Sequence, residues 1–192
     1  MNEGPLTGAE SFAQIVRTVR TAGVLGAAPR IAQVGVVTRD LERSVRAFGE
    51  LIGLSPWSLY TYGPELLREM TYHGSPAEYS MRIALTGSDP VVELIEPLTG
   101  PSIYHDWLDA HGEGLHHVAI EVPSISEGIA TATRAGFEIL QSGRGYGLDG
   151  DGGFAYLDTY EQVRIIVELL EFPKRRREPE TVCFPEGLRR HL

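Results

Sequence analysis

Gly114-Leu115-His116-His117-Val118-Ala119-Ile120-Glu121-Val122 is a short apolar run entered by two histidines, and the reading of the whole chain turns on it. Its apolar, β-branched character predicts a strand. Side chains alternate along a strand, so His117, Ala119 and Glu121 are expected on one face and His116, Val118, Ile120 and Val122 on the other. One imidazole then looks toward the working side of a sheet while the other packs or is solvated. A lone strand histidine is most often a satisfied core residue. What changes its weight is that the stretch occurs twice.

Gln33-Val34-Gly35-Val36-Val37 matches His117-Val118-Ala119-Ile120-Glu121, and seven residues on from each start stands a helix cap, Asp40 in one half and Ser124 in the other. The ending Glu93-Leu94-Ile95-Glu96-Pro97 matches Glu168-Leu169-Leu170-Glu171, with Pro173 close behind. Two β-α-β-β-β modules joined by a linker are the simplest account. The partition is an N-terminal helical extension at 1–30, a first module at 31–97, a linker at 98–114, a second module at 115–173 and a tail at 174–192. Within it, Ala9 to Val24 predicts a packing or dimerisation helix, and strands are expected from Ile31, Trp57, Met81 and Val91 in the first half. In the second half they are expected from His116, Phe137, Gly153 and Val163. The segment 63–79 reads as an irregular connection, and Gly143 to Gly153 as a mobile loop over a groove. The fold class is α+β, with paired βαβββ modules forming a cupped mixed sheet.

The chain has 192 residues, 17 Lys+Arg against 26 Asp+Glu and a formal charge of -9, which argues against a general nucleic-acid binder. Lys174-Arg175-Arg176-Arg177 sits beside Glu178 and Glu180 and reads as a solvated tail. With Cys183 as its only cysteine the chain builds no internal disulfide and no thiolate zinc site. No apolar run approaches membrane-spanning length and the N-terminus lacks a leader pattern, so a cytoplasmic protein with no membrane partner is expected.

If the modules pair about a pseudo-two-fold, Gln33 faces His117 from the first strand of each half and Glu93 faces Glu168 from the last. Each stands in an apolar strand, where an unpaired polar group is expensive. Taken singly each is best explained as an edge or hydrogen-bonded residue. Four at equivalent repeat positions favour a divalent-cation site of N and O donors. Glu96 and Glu171 also repeat. Residues three apart on a strand face opposite sides, and Glu93 and Glu168, flanked by apolar residues, are the inward choice.

The doubled module, the Gly-Leu-His-His-Val-Ala strand and the endings Val92 to Pro97 and Val167 to Glu171 resemble the vicinal oxygen chelate superfamily. That group holds glyoxalase I, methylmalonyl-CoA epimerase, extradiol dioxygenases and antibiotic-resistance proteins. The resemblance covers about residues 31 to 173 and places the metal ligands on Gln33, Glu93, His117 and Glu168. The strand phrasing is nearest to the epimerase-like branch, whereas the Gln, Glu, His, Glu set is similar to that of eukaryotic glyoxalase I. The epimerases usually carry His where Gln33 stands and Gln where Glu93 stands.

The resemblance implies a metal-dependent lyase or isomerase acting on a small carbonyl compound or thioester, with Glu168 as the base and Glu93 on the opposite face. Zn, Ni, Co, Mn and Mg all suit the ligand set, and a homodimer is expected. The alternatives are an extradiol dioxygenase, disfavoured by Gln33 in place of a histidine, and a binding or resistance protein without catalysis. Pairing of the modules within one chain or across a dimer is equally compatible with the sequence. A dinucleotide fingerprint at Gly145 to Gly150 fails because a strand follows it.

Overall fold

The computed structural model describes residues 29–184. The helix expected over Ala9 to Val24 lies outside them. In chain order the elements are β1 (Ile31–Val37), α1 (Leu41–Ile52), β2 (Trp57–Tyr62), β3 (Arg68–Tyr72), β4 (Ser75–Pro76), β5 (Ser80–Thr86) and β6 (Val91–Thr99). Then come α2 (Ile103–His111), β7 (Gly114–Glu121), α3 (Ile125–Arg134), β8 (Ile139–Tyr146), β9 (Gly152–Leu157), α4 (Tyr160–Val163), β10 (Ile166–Glu171) and β11 (Thr181–Cys183). The strands join in one sheet of order β11-β2-β5-β6-β1-β7-β10-β9-β8-β3-β4.

Both helix caps form as the sequence dictates. The Asp40 side chain accepts from the Arg43 backbone N–H at 2.9 Å, and Gly53, at φ 78, ends α1 in the left-handed conformation. The Ser124 hydroxyl accepts from the backbone of Glu127 at the start of α3. α1 buries Leu41 and Val45 on Trp57, Ala84 and Leu94, and α3 buries Ile125 and Ala132 on Ala155, Leu157 and Leu169. Each helix thus covers one half of the sheet from outside. A separate apolar cluster, with Ile83, Ile95, Phe154 and Leu170, lies on the inner face. Among the described residues no helix is long and apolar enough to cross a membrane.

The two halves meet within one chain. β1 runs parallel to β6, β7 runs parallel to β10, and β1 and β7 are antiparallel at the centre. Three sequence expectations need correction. The segment 63–79 is not irregular: it holds β3 and β4, and β3 pairs with β8 of the other half, where the Thr71 and Ser142 hydroxyls bond at 2.7 Å. Gly143 to Gly153 is mostly the β8–β9 hairpin, with only the turn at 147–151 outside strands. The last long strand starts at Ile166, because Tyr160–Val163 winds one helical turn that Arg164 closes at φ 57. The tail contributes β11, which pairs with β2, and Glu180 accepts from the Thr61 backbone N–H at 2.8 Å.

Candidate active site

The central strands set two neighbouring rows of side chains on the inner face. In one row Glu93 and His117 flank Gly35, the cross-strand partner of both. In the next, Gln33 and Glu168 flank Ala119, and Tyr156 lies beyond Glu168. Residues paired across adjacent strands share a face, so four polar groups converge over two small residues.

Gly35 is small because His117 lies across it. A Cβ at that position would stand 1.9 Å from His117 Cε1 and 2.2 Å from Nε2. The Gln33 amide donates to Glu93 Oε2 at 2.7 Å, and His117 Nε2 stands 3.4 Å from Glu93 Oε2 and 3.3 Å from Glu168 Oε2. All four residues are buried. The buried His117 Nε2 and Glu168 Oε2 nevertheless lack a hydrogen-bond partner.

Simple alternation put His116 on the opposite face from His117, and the structure corrects this. The register pairs Gly35 with His117 but Val36 with Leu115, so His116 is an extra residue in a β-bulge. The bulge turns its ring inward, where its Nδ1 lies 3.0 Å from His117 Nδ1. Burial among Tyr104, Trp107 and Tyr156 pushes the His116 imidazole well below its ordinary pKa, so it stays neutral. Its bare Nδ1 then accepts from His117 Nδ1–H, which orients the His117 ring with Nε2 toward the carboxylates.

Burial also pushes the Glu93 carboxyl up. For His117 burial acts downward, but the negative charges of Glu168 and Glu93 at 3.3 and 3.4 Å outweigh it, and its pKa is pushed up to about 9. A base whose folded pKa exceeds its unfolded value stabilises fully below about 6.5 and loses that contribution as pH rises through about 9. The Glu93 carboxyl, raised by burial, acts with the same sign. Chelator-treated protein is therefore expected to lose on the order of 1–3 kcal/mol of unfolding free energy between those values. Urea titrations across the range check it, and a flat profile would remove the ion-pair account of His117.

Gln33, Glu93 and Glu168 form the floor of a cavity of about 60 Å³ walled by Tyr62, Tyr104, Tyr146, Phe154, Tyr156 and Phe172, with Arg176 beside it and His117 fully buried behind the two carboxylates. Burial pushes the phenols of Tyr104, Tyr146 and Tyr156 well above their ordinary pKa and that of Tyr62 to about 12, so all four stay protonated. Among the described residues no three His, Cys, Asp or Glu side chains stand ready-spaced as an ion cage. Here the donors close on one another instead. Two orphaned buried donors facing each other, with a second carboxylate and an amide beside them and no thiolate, fit a divalent cation in chemistry.

The other candidates lie elsewhere. Glu96 meets Arg82 at 3.2 Å on the outer face, and Arg82 also pairs with Glu42 of α1. Glu171 accepts from the Ile125 backbone N–H at 2.7 Å, at the start of α3. His73 lies by Asp106, and His111 packs on Trp107 and Tyr160. Sequence reading missed His116, Gly35, Tyr156 and Arg176. Gly35 and Tyr156 carried a signal: one matches Ala119 in the repeat, and the other belongs to an alternating strand beside Glu168.

The model of the Glyoxalase/Bleomycin resistance protein/Dioxygenase superfamily matches residues 32–156. A curated relative, the uncharacterized protein YqjC of Bacillus subtilis, is 32% identical over 80 residues, which is 42% of this chain and 56% of that protein. This chain thus spans little more than half of that relative's length. Among solved structures, a hypothetical protein from Bacillus halodurans superposes with a TM-score of 0.55 at 19% identity, over 79% of this chain and 99% of the other. A variant of Streptomyces coelicolor methylmalonyl-CoA epimerase in complex with 2-nitronate-propionyl-CoA gives 0.55 at 21%, over 77% and 97%. The epimerase of Mycobacterium tuberculosis gives 0.54 at 19%, over 78% and 91%. These likenesses are of fold. With two β-α-β-β-β halves closed about a central antiparallel pair and the family model spanning both, the chain belongs to the glyoxalase/bleomycin resistance protein/dioxygenase superfamily.

Proposed function

We propose that this chain is a divalent-metal-dependent lyase or isomerase of glyoxalase or epimerase type, removing the proton next to a carbonyl or enediolate oxygen of a small carbonyl compound or thioester. The observation that carries the reading is the pair of buried, unpartnered atoms, His117 Nε2 and Glu168 Oε2, facing each other beside Glu93 where the two carboxylates line a cavity floor. Left without a cation or a shared proton, that arrangement is costly. Gln33, Glu93, His117 and Glu168 would hold the ion, with Zn, Ni, Co, Mn and Mg as candidates. When bound, the ion polarises the substrate oxygen and lowers the cost of losing the neighbouring proton.

The rest falls to the chain's own groups. A half-turn of the Gln33 amide, which leaves its shape unchanged, exchanges its donor for an acceptor toward the centre. His116 holds His117 in one tautomer. Glu168 takes the proton from carbon, and Glu93, in the neighbouring row across Gly35 and Ala119, can return it from another side. Burial makes the Glu93 carboxylate a stronger base than an exposed one. The aromatic walls keep water from the exposed carbanion. All four residues come from one chain, so the expected homodimer is not needed to complete the site.

Metal analysis of the purified chain, thermal melts with each of the five ions, and proton NMR in D₂O with acyl-CoA thioesters and 2-oxoaldehyde hemithioacetals test this. About one ion per chain is expected. At a thousandfold excess over Kd it adds about 4 kcal/mol, a rise of roughly 8–16 °C in Tm. Deuterium should enter the substrate at the carbon next to the carbonyl. Iron with oxygen-dependent ring cleavage would point to the dioxygenase reading, and ligand binding without ion or exchange to the sequestering one.

A further inference from the structure

The segment after β10 crosses from the second half of the sheet to the edge of the first, passing the cavity. It is fixed on both sides of Arg176. The Leu148 N–H donates to the Arg175 carbonyl at 2.9 Å, the Arg175 guanidinium pairs with Asp149, and Arg177 Nε donates to the Gly147 carbonyl at 3.4 Å. Pro173 sits so close to Gly147 that a Cβ there would fall 2.3 Å from it. The segment then ends as β11 on β2.

Arg176 is different from its neighbours. Its side chain lines the cavity that has Glu93 and Glu168 at its floor, and its guanidinium lies 5.1 Å above the Phe172 ring. Among the described residues it has no carboxylate partner, whereas Arg175 has Asp149. A cation on the wall of an aromatic cavity, with its planar fork of donors unused, is equipped to take an anion of matching geometry. The floor is acidic and would repel such a group, so a ligand carrying one is oriented with that end outward.

We infer that Arg176 recognises an anionic group of the substrate, a carboxylate or a phosphate, at the end remote from the reacting carbon. Which end goes inward rests on the proton-abstraction reading above; the recognition of an anion by Arg176 does not. The substrate class is then a small carbonyl compound with an acidic tail. The bonds made by the Arg175 carbonyl and the Arg177 guanidinium, on either side of Arg176, fix where that tail ends, which makes the residue a selector of length as well as charge.

Calorimetric titration of the full chain, metal-loaded and chelator-treated, with 4-oxopentanoate, 5-oxohexanoate, the neutral-tailed N,N-dimethyl-4-oxopentanamide and 3-oxobutylphosphonate tests this. The wild type is expected to prefer an acidic tail over the amide by about 10- to 100-fold, the range of a charge-assisted hydrogen bond. Arg176→Gln should reduce that ratio to about twofold or less, and Arg176→Lys should keep only part of it. The tighter of the carboxylate and phosphonate arms identifies the anion. No preference in the wild type, or one that survives in Arg176→Gln, overturns the inference. A preference present in protein that binds no ion would retain Arg176's role while rejecting the metal reading. Ion binding without the preference would do the reverse.

Discussion

Glu168→Gln is expected to fold normally and to lose about 10²- to 10⁴-fold in the rate of proton exchange at the substrate carbon, the contribution of a positioned general base. The change keeps the volume of a side chain that is 2% exposed between Ala119 and Tyr156, so packing is conserved. What goes is the charge 3.3 Å from His117 Nε2. Ion affinity should fall in parallel, read as a smaller rise in Tm on adding metal. Glu171→Gln, on the outer face of the same strand, is the control. It weakens the bond to the Ile125 N–H, costing about 1 kcal/mol, and leaves exchange intact. Unchanged exchange in Glu168→Gln would remove that carboxylate from the mechanism.

Gly35→Ala should have the larger effect on the site as a whole. The backbone there is ordinary, and the demand for glycine comes from the His117 ring. A methyl 1.9 Å from Cε1 and 2.4 Å from Nδ1 cannot coexist with it. The imidazole must swing away, breaking its contact with His116 and leaving buried nitrogen atoms unpaired. Overpacking and lost polar pairing together cost about 2–5 kcal/mol, and ion binding should be lost by more than about 100-fold. Ala119→Gly, the change at the repeat-equivalent position, should cost only about 1 kcal/mol and retain ion binding. Thermal melts with and without metal distinguish the two. A Gly35→Ala protein that binds metal like the wild type would show that His117 is not held where the structure places it.

The sequence made the fold legible where the physics is local or repeated. Asp40 and Ser124 cap helices because short oxygen side chains satisfy free backbone N–H groups, and that pattern reads directly. Alternation put Glu93 and Glu168 on one face and Glu96 and Glu171 on the other, and the side chains lie that way. The illegible parts are non-local. Nothing in Arg68 to Tyr72 announces a strand, because its partner β8 lies some seventy residues away and supplies the pairing. His116 was misplaced because a bulge inserts one residue into the ladder, and period-two counting fails at that step. The basic run is exposed as its composition implies, but a run of like charges carries no sign that Arg176 is the member that also lines the cavity.

The exchange of edge strands between halves has a consequence of its own. The first half lends β3 and β4 to the border of the second, and the second returns β11 to the border of the first. Each half therefore completes the other's outer rim as well as sharing the central seam, like two hands with interlaced fingers. A break in the connection around α2 would sever the covalent thread but not this mutual grip. Either piece alone would leave β8 or β2 as a bare edge, open to pairing with another chain.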